Sequence, residues 1–116
     1  MFRFATAFAM ASALCGGGHD QAHAHVAEEL SGQRIAEELA GSTIYYETGA
    51  VQSFYGSGKT LYEAGQPEWG NWTTEGDRYC SQWPPRAEWA CYRVRMHDPM
   101  FEFIGEAGDI TIGFRN

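Results

Sequence analysis

The sequence predicts a mainly β protein, an antiparallel meander that forms a small partial or closed barrel with one short N-terminal helix. Three observations point there. From Ser42 onward, short runs rich in Tyr, Phe, Trp, Val, Ile and Thr are broken every few residues by Gly, Pro, Asn or Asp, which is the pattern of strands joined by tight turns. One earlier segment, between Ser31 and Gly41, repeats its apolar residues at helical spacing. Finally, Cys80 and Cys91 bracket Pro84-Pro85, where two facing strands of a hairpin would place a bridged pair.

The elements follow in chain order, beginning with a segment that predicts export. Arg3 supplies one positive charge, and Phe4 to Leu14 then run without any charge. These are the n- and h-regions of a signal peptide. An apolar run of roughly a dozen residues is too short for a bilayer core that needs about twenty, and Gly16-Gly17-Gly18 interrupts it. No stable membrane anchor is expected. The small-residue pattern Ala22-His23-Ala24 places cleavage after residue 24, with Ala27 as the lesser option. Cys15 ends the apolar run as a lipidated cysteine would, but Leu14 precedes it where a small residue is the norm. The reading is therefore residues 1–24 as a cleaved signal and 25–116 as one domain, periplasmic or secreted.

Cleavage leaves 92 of 116 residues, enough for one core. It also removes Cys15, so that an even pair, Cys80 and Cys91, enters an oxidising compartment. That pair is expected to form a disulfide.

A turn from Val26 to Leu30 leads toward the helix. Ser31 is its N-cap, Ile35, Ala36 and Leu39 share a face, Glu37 and Glu38 look to solvent, and Gly41 stops it. Strands are predicted near Thr43–Thr48, Val51–Tyr55, Thr60–Ala64, Gly70–Thr74, Arg78–Trp83, Trp89–Met96, Met100–Ile104 and Asp109–Arg115. The intervening turns each hold a residue suited to positive or fixed φ: Thr48-Gly49, Gly56-Ser57-Gly58, Glu75-Gly76-Asp77, Pro84-Pro85, His97-Asp98-Pro99 and the Gly105–Gly108 loop.

Pairing Cys80 with Cys91 sets a register in which Tyr79 opposes Tyr92, Ser81 opposes Ala90 and Gln82 opposes Trp89. One face of the hairpin, assigned to the core, is then Tyr79, Ser81, Trp83, Ala90, Tyr92, Val94 and Met96. The last strand alternates Ile110, Ile112 and Phe114 with Thr111, Gly113 and Arg115, so it too has one buried face. A meander of this kind needs closure or a partner layer to protect its edges.

Gly70-Asn71-Trp72, Gly76-Asp77-Arg78-Tyr79-Cys80-Ser81-Gln82-Trp83 and Cys91-Tyr92-Arg93-Val94 together resemble a family of small exported Gram-negative proteins of unknown function, the domain of unknown function 995. The similarity spans roughly Leu39 to Phe114. It implies a compact, lipocalin-like β-rich core and an exported location, and it carries no catalytic residues.

The chain has 8 Lys and Arg against 15 Asp and Glu, a net charge of −7 that survives loss of Arg3 and Asp20. Nucleic acid and anionic lipid reward the opposite sign, so neither is expected as partner. For chemistry, His25 would become the N-terminal residue and, with His97, a weak copper site. His97-Asp98 before Pro99 reads better as a turn than as an acid–base pair. Gly56-Ser57-Gly58-Lys59-Thr60 lacks the spacing of a phosphate loop and joins two strands. No nucleophile set is present, and a hydrolase would need a reactive group the sequence does not show; neither an enzymatic role nor a cofactor is predicted.

Two clusters suggest binding instead. Arg78, Arg93 and Arg95 fall on the disulfide face of the hairpin, where they either meet glutamates of the next strand or form an anion site. Most of the many aromatic residues must build the core, but Trp69 and Trp72 sit in a Pro67–Trp72 stretch where an exposed pair could stack on a ligand. The leading function is an exported binding or interaction module for an unknown small ligand or protein partner. The alternative is an inhibitor or immunity-type protein whose acidic, stapled surface plugs a partner enzyme.

Overall fold

The structure, a computed structural model, describes residues 26–116. The predicted signal segment, Cys15 and His25 lie outside the described residues.

The described residues form nine strands and one helix: β1 (Glu28–Glu29), α1 (Gly32–Leu39), β2 (Thr43–Tyr46), β3 (Val51–Phe54), β4 (Lys59–Glu63), β5 (Pro67–Glu75), β6 (Arg78–Gln82), β7 (Trp89–His97), β8 (Met100–Ile104) and β9 (Ile110–Arg115). Each of the eight strands β2–β9 pairs antiparallel with its neighbour, and the ring closes through β2 with β9 and β7 with β8. The protein is thus a closed eight-stranded antiparallel barrel with one short helix. Closure leaves no long edge exposed. β7 outruns β6, and the free edge this creates is covered by β1, which pairs Glu28 with Met96 and Glu29 with Arg95.

The expected hairpin register holds residue for residue: Tyr79 faces Tyr92, Cys80 faces Cys91, Ser81 faces Ala90 and Gln82 faces Trp89. The disulfide joins Cα atoms 4.0 Å apart on the outer surface of the wall. Its inward counterparts Tyr79, Ser81 and Val94 are buried, while Ala90, also counted in the core face, is exposed.

The lumen is filled unevenly. Toward the end covered by α1, Leu30, Ile35 and Leu39 close over Ile44, Phe54, Trp72, Val94 and Phe101 in one buried apolar cluster. Burying each large side chain of this kind stabilises by about 1.5–3 kcal/mol. The helix is held there by its own chemistry. Ser31 caps it, accepting from the Arg34 amide at 3.2 Å, and Asp77 in the β5–β6 turn accepts from the Gly32 amide at 2.8 Å. Gly32 is required at this contact, since a Cβ would run into the Gly76 carbonyl. Glu37 is exposed as expected, but Glu38 is half-buried against Arg34 and Arg115 and does not simply face solvent.

In β9 it is Thr111, Gly113 and Arg115 that turn inward, while Ile110 and Phe114 are exposed, the reverse of what hydropathy alone favours. Space decides this. Gly113 lies opposite Tyr46, and a Cβ there would sit 2.5 Å from Ile44 Cγ2 and 3.0 Å from Tyr46 Cδ1. The lumen is already occupied by side chains of the flanking strands.

Candidate functional site

At the end away from α1 the lumen is open, with a cavity of about 310 Å³. An eight-stranded barrel has an interior just wide enough to be filled by side chains or to hold one small ligand; here the helix end follows the first course and the mouth the second. Inward positions of β2, β4, β6, β7 and β8 contribute Tyr46, Tyr62, Tyr79, Tyr92 and Phe103, and the β6–β7 loop adds Trp83. The rings brace one another: Tyr46 meets Phe103 edge-on with centroids 5.8 Å apart, Tyr62 meets Trp83 edge-on at 5.8 Å, and Tyr79 stacks on Tyr92 at 5.8 Å. Trp83 reaches the lumen because β5 offers no side chain at Gly70, where a Cβ would stand 2.5 Å from the indole.

The floor is polar, and its hydrogen bonds have a definite order. The Thr60 hydroxyl donates to the Ser53 carbonyl at 2.7 Å, so it must accept from Gln52 Nε2 at 2.9 Å. That fixes the amide. The same nitrogen donates to the Tyr79 oxygen at 3.1 Å, and Gln52 Oε1 accepts from the Tyr46 hydroxyl at 2.7 Å. The Ser81 hydroxyl lines the cavity on the same inward face of β6 as Tyr79.

Among the described residues no charged side chain enters the floor. Burial pushes the Tyr79 phenol up to about 12, although the neighbouring Ser81 hydroxyl and the hydrogen bond from Gln52 partly oppose it. Burial raises Tyr46 further still, and Tyr92 in the same direction. The cup therefore disfavours negative charge. At the rim, Arg86 Nη2 of the β6–β7 loop lies 3.5 Å from Glu68 Oε2, both well exposed.

The side chains predicted from sequence are distributed elsewhere. Trp72 is not half of an exposed pair. It is inward and 8% exposed, its indole N–H donating to the Tyr55 carbonyl at 2.9 Å, whereas Trp69 points outward at 55% exposure and lies beside Tyr55, centroids 5.9 Å apart. Residues three apart on a strand necessarily face opposite sides. Arg78, Arg93 and Arg95 do share the outer disulfide face, each against its own carboxylate: Arg78 with Glu106 at 3.1 Å, Arg93 in a fork on Glu29 at 2.8 Å, Arg95 with Glu102 at 3.6 Å. His97 is the last residue of β7, paired with Met100, and Asp98 follows in the β7–β8 turn, where it accepts from Arg115 Nε at 3.0 Å. Glu75 lies near Cys80 and Cys91, but those sulfurs are bonded to each other and are not available to a metal.

Tyr79, Ser81, Trp83 and Tyr92 were legible as an inward face; that this face lines a cup was not. The available signal was the presence of Gln52, Thr60 and Ser81 on inward positions of otherwise aromatic strands, polarity that a solid core would not choose.

Comparison of the chain with protein-family models, with curated proteins and with solved structures finds no match in any of the three.

Proposed function

We propose that this protein is a small exported binding barrel that takes one small organic molecule into its open end. The observation that carries the reading is the cup of about 310 Å³, walled by aromatic rings, floored by an ordered polar network and open to solvent. Apolar walls with a few well-placed polar groups are the usual composition of a ligand pocket, and this volume is at the small end of the range. The Cys80–Cys91 disulfide supports export, because such bonds persist in oxidising compartments such as the periplasm. Among the described residues no helix is long and apolar enough to cross a membrane.

Trp83 in the wall provides the readout. A panel of one- and two-ring compounds is expected to include binders that shift tryptophan fluorescence and raise Tm. Thr111→Trp, which fills the mouth beside Phe103, and Tyr62→Ala, which removes part of the wall, should each weaken those binders about tenfold or more. Trp69→Ala, on the outer surface, should leave them unchanged. A panel without binders, or binders indifferent to Thr111→Trp and Tyr62→Ala alike, would overturn the reading.

A further inference from the structure

We propose that the molecule this cup accepts is an uncharged, planar compound of one or two rings that leads with a hydrogen-bond acceptor, such as a ring carbonyl, directed at the Tyr79–Ser81 hydroxyl pair. This deepens the binding reading above and rests on it.

Thr60 spends its proton on Ser53, Gln52 spends both amide protons on Thr60 and Tyr79, and Tyr46 spends its proton on Gln52. Tyr79 and Ser81 hold two further hydroxyl protons on the same wall of the cavity. Even were these two hydroxyls to bond each other, one O–H proton would remain, and among the described residues no protein acceptor takes it. Both groups are nearly inaccessible, Tyr79 at 4% and Ser81 at 3% exposure, and both line the cavity. A buried donor left without a partner is costly, so the floor rewards a guest that brings an acceptor. A site built this way rejects an otherwise equal guest that lacks one.

Charge and shape narrow the class further. Among the described residues an anion would find no cation deeper than Arg86 at the rim, which already faces Glu68. Burial raises the phenols of Tyr46, Tyr79 and Tyr92, which reports the same resistance to negative charge. A cation would meet an O–H dipole aimed at it from the floor. The rings of Tyr62, Trp83 and Tyr92 around the opening suit a flat guest of limited size.

Calorimetric titration of the mature protein with five probes of similar size tests this: coumarin, naphthalene, 2-naphthol, 2-naphthoate and phenyltrimethylammonium. Coumarin, the neutral acceptor, should bind about tenfold more tightly than naphthalene, and more tightly than the other three. In Tyr79→Phe/Ser81→Ala that preference should vanish while naphthalene binds as before, which shows that the cup survives. If the double variant does not fold, the order of the five probes on the unaltered protein decides alone. Tightest binding of naphthoate, naphthol or the ammonium ion, or no advantage of coumarin over naphthalene, would overturn the ligand class and leave the binding cup standing. Binding of no probe here, together with an empty compound panel, would remove the cup as a binding site and this proposal with it.

Discussion

Gln52 is the residue on which the floor depends, because one amide sets the direction of every hydrogen bond around it. It is 3% exposed and serves Tyr46, Thr60 and Tyr79 at once. Gln52→Leu keeps the bulk but strands the Tyr46 proton and deprives two oxygens of their donor. The expected cost is about 2–4 kcal/mol, read as a lower midpoint with unchanged slope in urea denaturation. A variant as stable as the parent would show that water replaces the amide freely. The alternation Val51-Gln52-Ser53-Phe54 already puts Gln52 on the side of Phe54. What it could not say is that this side holds a polar cluster, since a glutamine in a strand reads by itself as solvent-facing. Trp69 and Trp72 show the same limit: their parity separates them, but only packing tells which one is inside.

At the scale of elements, the β6–β7 hairpin shapes the mouth. Its loop carries Trp83 and Arg86 to the opening, and its strands are tied outside by the disulfide. Cys80→Ala/Cys91→Ala removes the constraint on a short loop and should lower stability by about 2–3 kcal/mol on the chain-entropy model, measured by chemical denaturation against the oxidised parent. An equal midpoint in the two proteins would argue that the bond does not constrain the unfolded chain. This hairpin was the most legible element, because two cysteines and a proline turn specify a register with no free parameter. β1 was not legible. Two glutamates have no strand preference, and they pair only because β7 extends past the end of β6. The start of β5 at Pro67-Glu68 was hidden for a related reason: proline is tolerated at the first position of a strand, and partners on β4 supply the rest.

Across the whole molecule, Arg115 ties the last strand to the helix and to the β7–β8 turn. Its guanidinium lies 2.8 Å from Glu38 Oε1 and 3.0 Å from Asp98 Oδ1, and rests over the Phe101 ring at 5.3 Å. Burial would raise the Glu38 carboxyl, but hydrogen bonds from Arg115 and Arg34 outweigh it and hold the group below its ordinary value of 4.5. A folded value below the unfolded one stabilises above the unfolded value and is lost as pH falls through the folded one. The parent protein should therefore lose stability as pH falls below 4.5 and through the lowered folded value. Arg115→Ala, which has already lost the main partner, should lose less over the same range, so the gap in Tm between the two should narrow with acid. A gap that stays constant with pH would place the contribution of Arg115 in its packing on Phe101 alone.

The sequence by itself determined the class of the fold, the single helix and its cap, the approximate position of all eight barrel strands and the hairpin register, because each rests on local chemistry: periodicity, turn residues, a cap and a disulfide. Tertiary structure decided what no local pattern contains. Closure depends on β7 meeting β8 and β2 meeting β9, the inward face of β9 depends on the volume left beside Ile44 and Tyr46, and the cup exists because Leu30 with Ile35 and Leu39 of α1 fills only one end of the lumen. Whether an inward face is packed solid or lines a space depends on the sum of side chains from many strands, and that sum is available only once the barrel is closed.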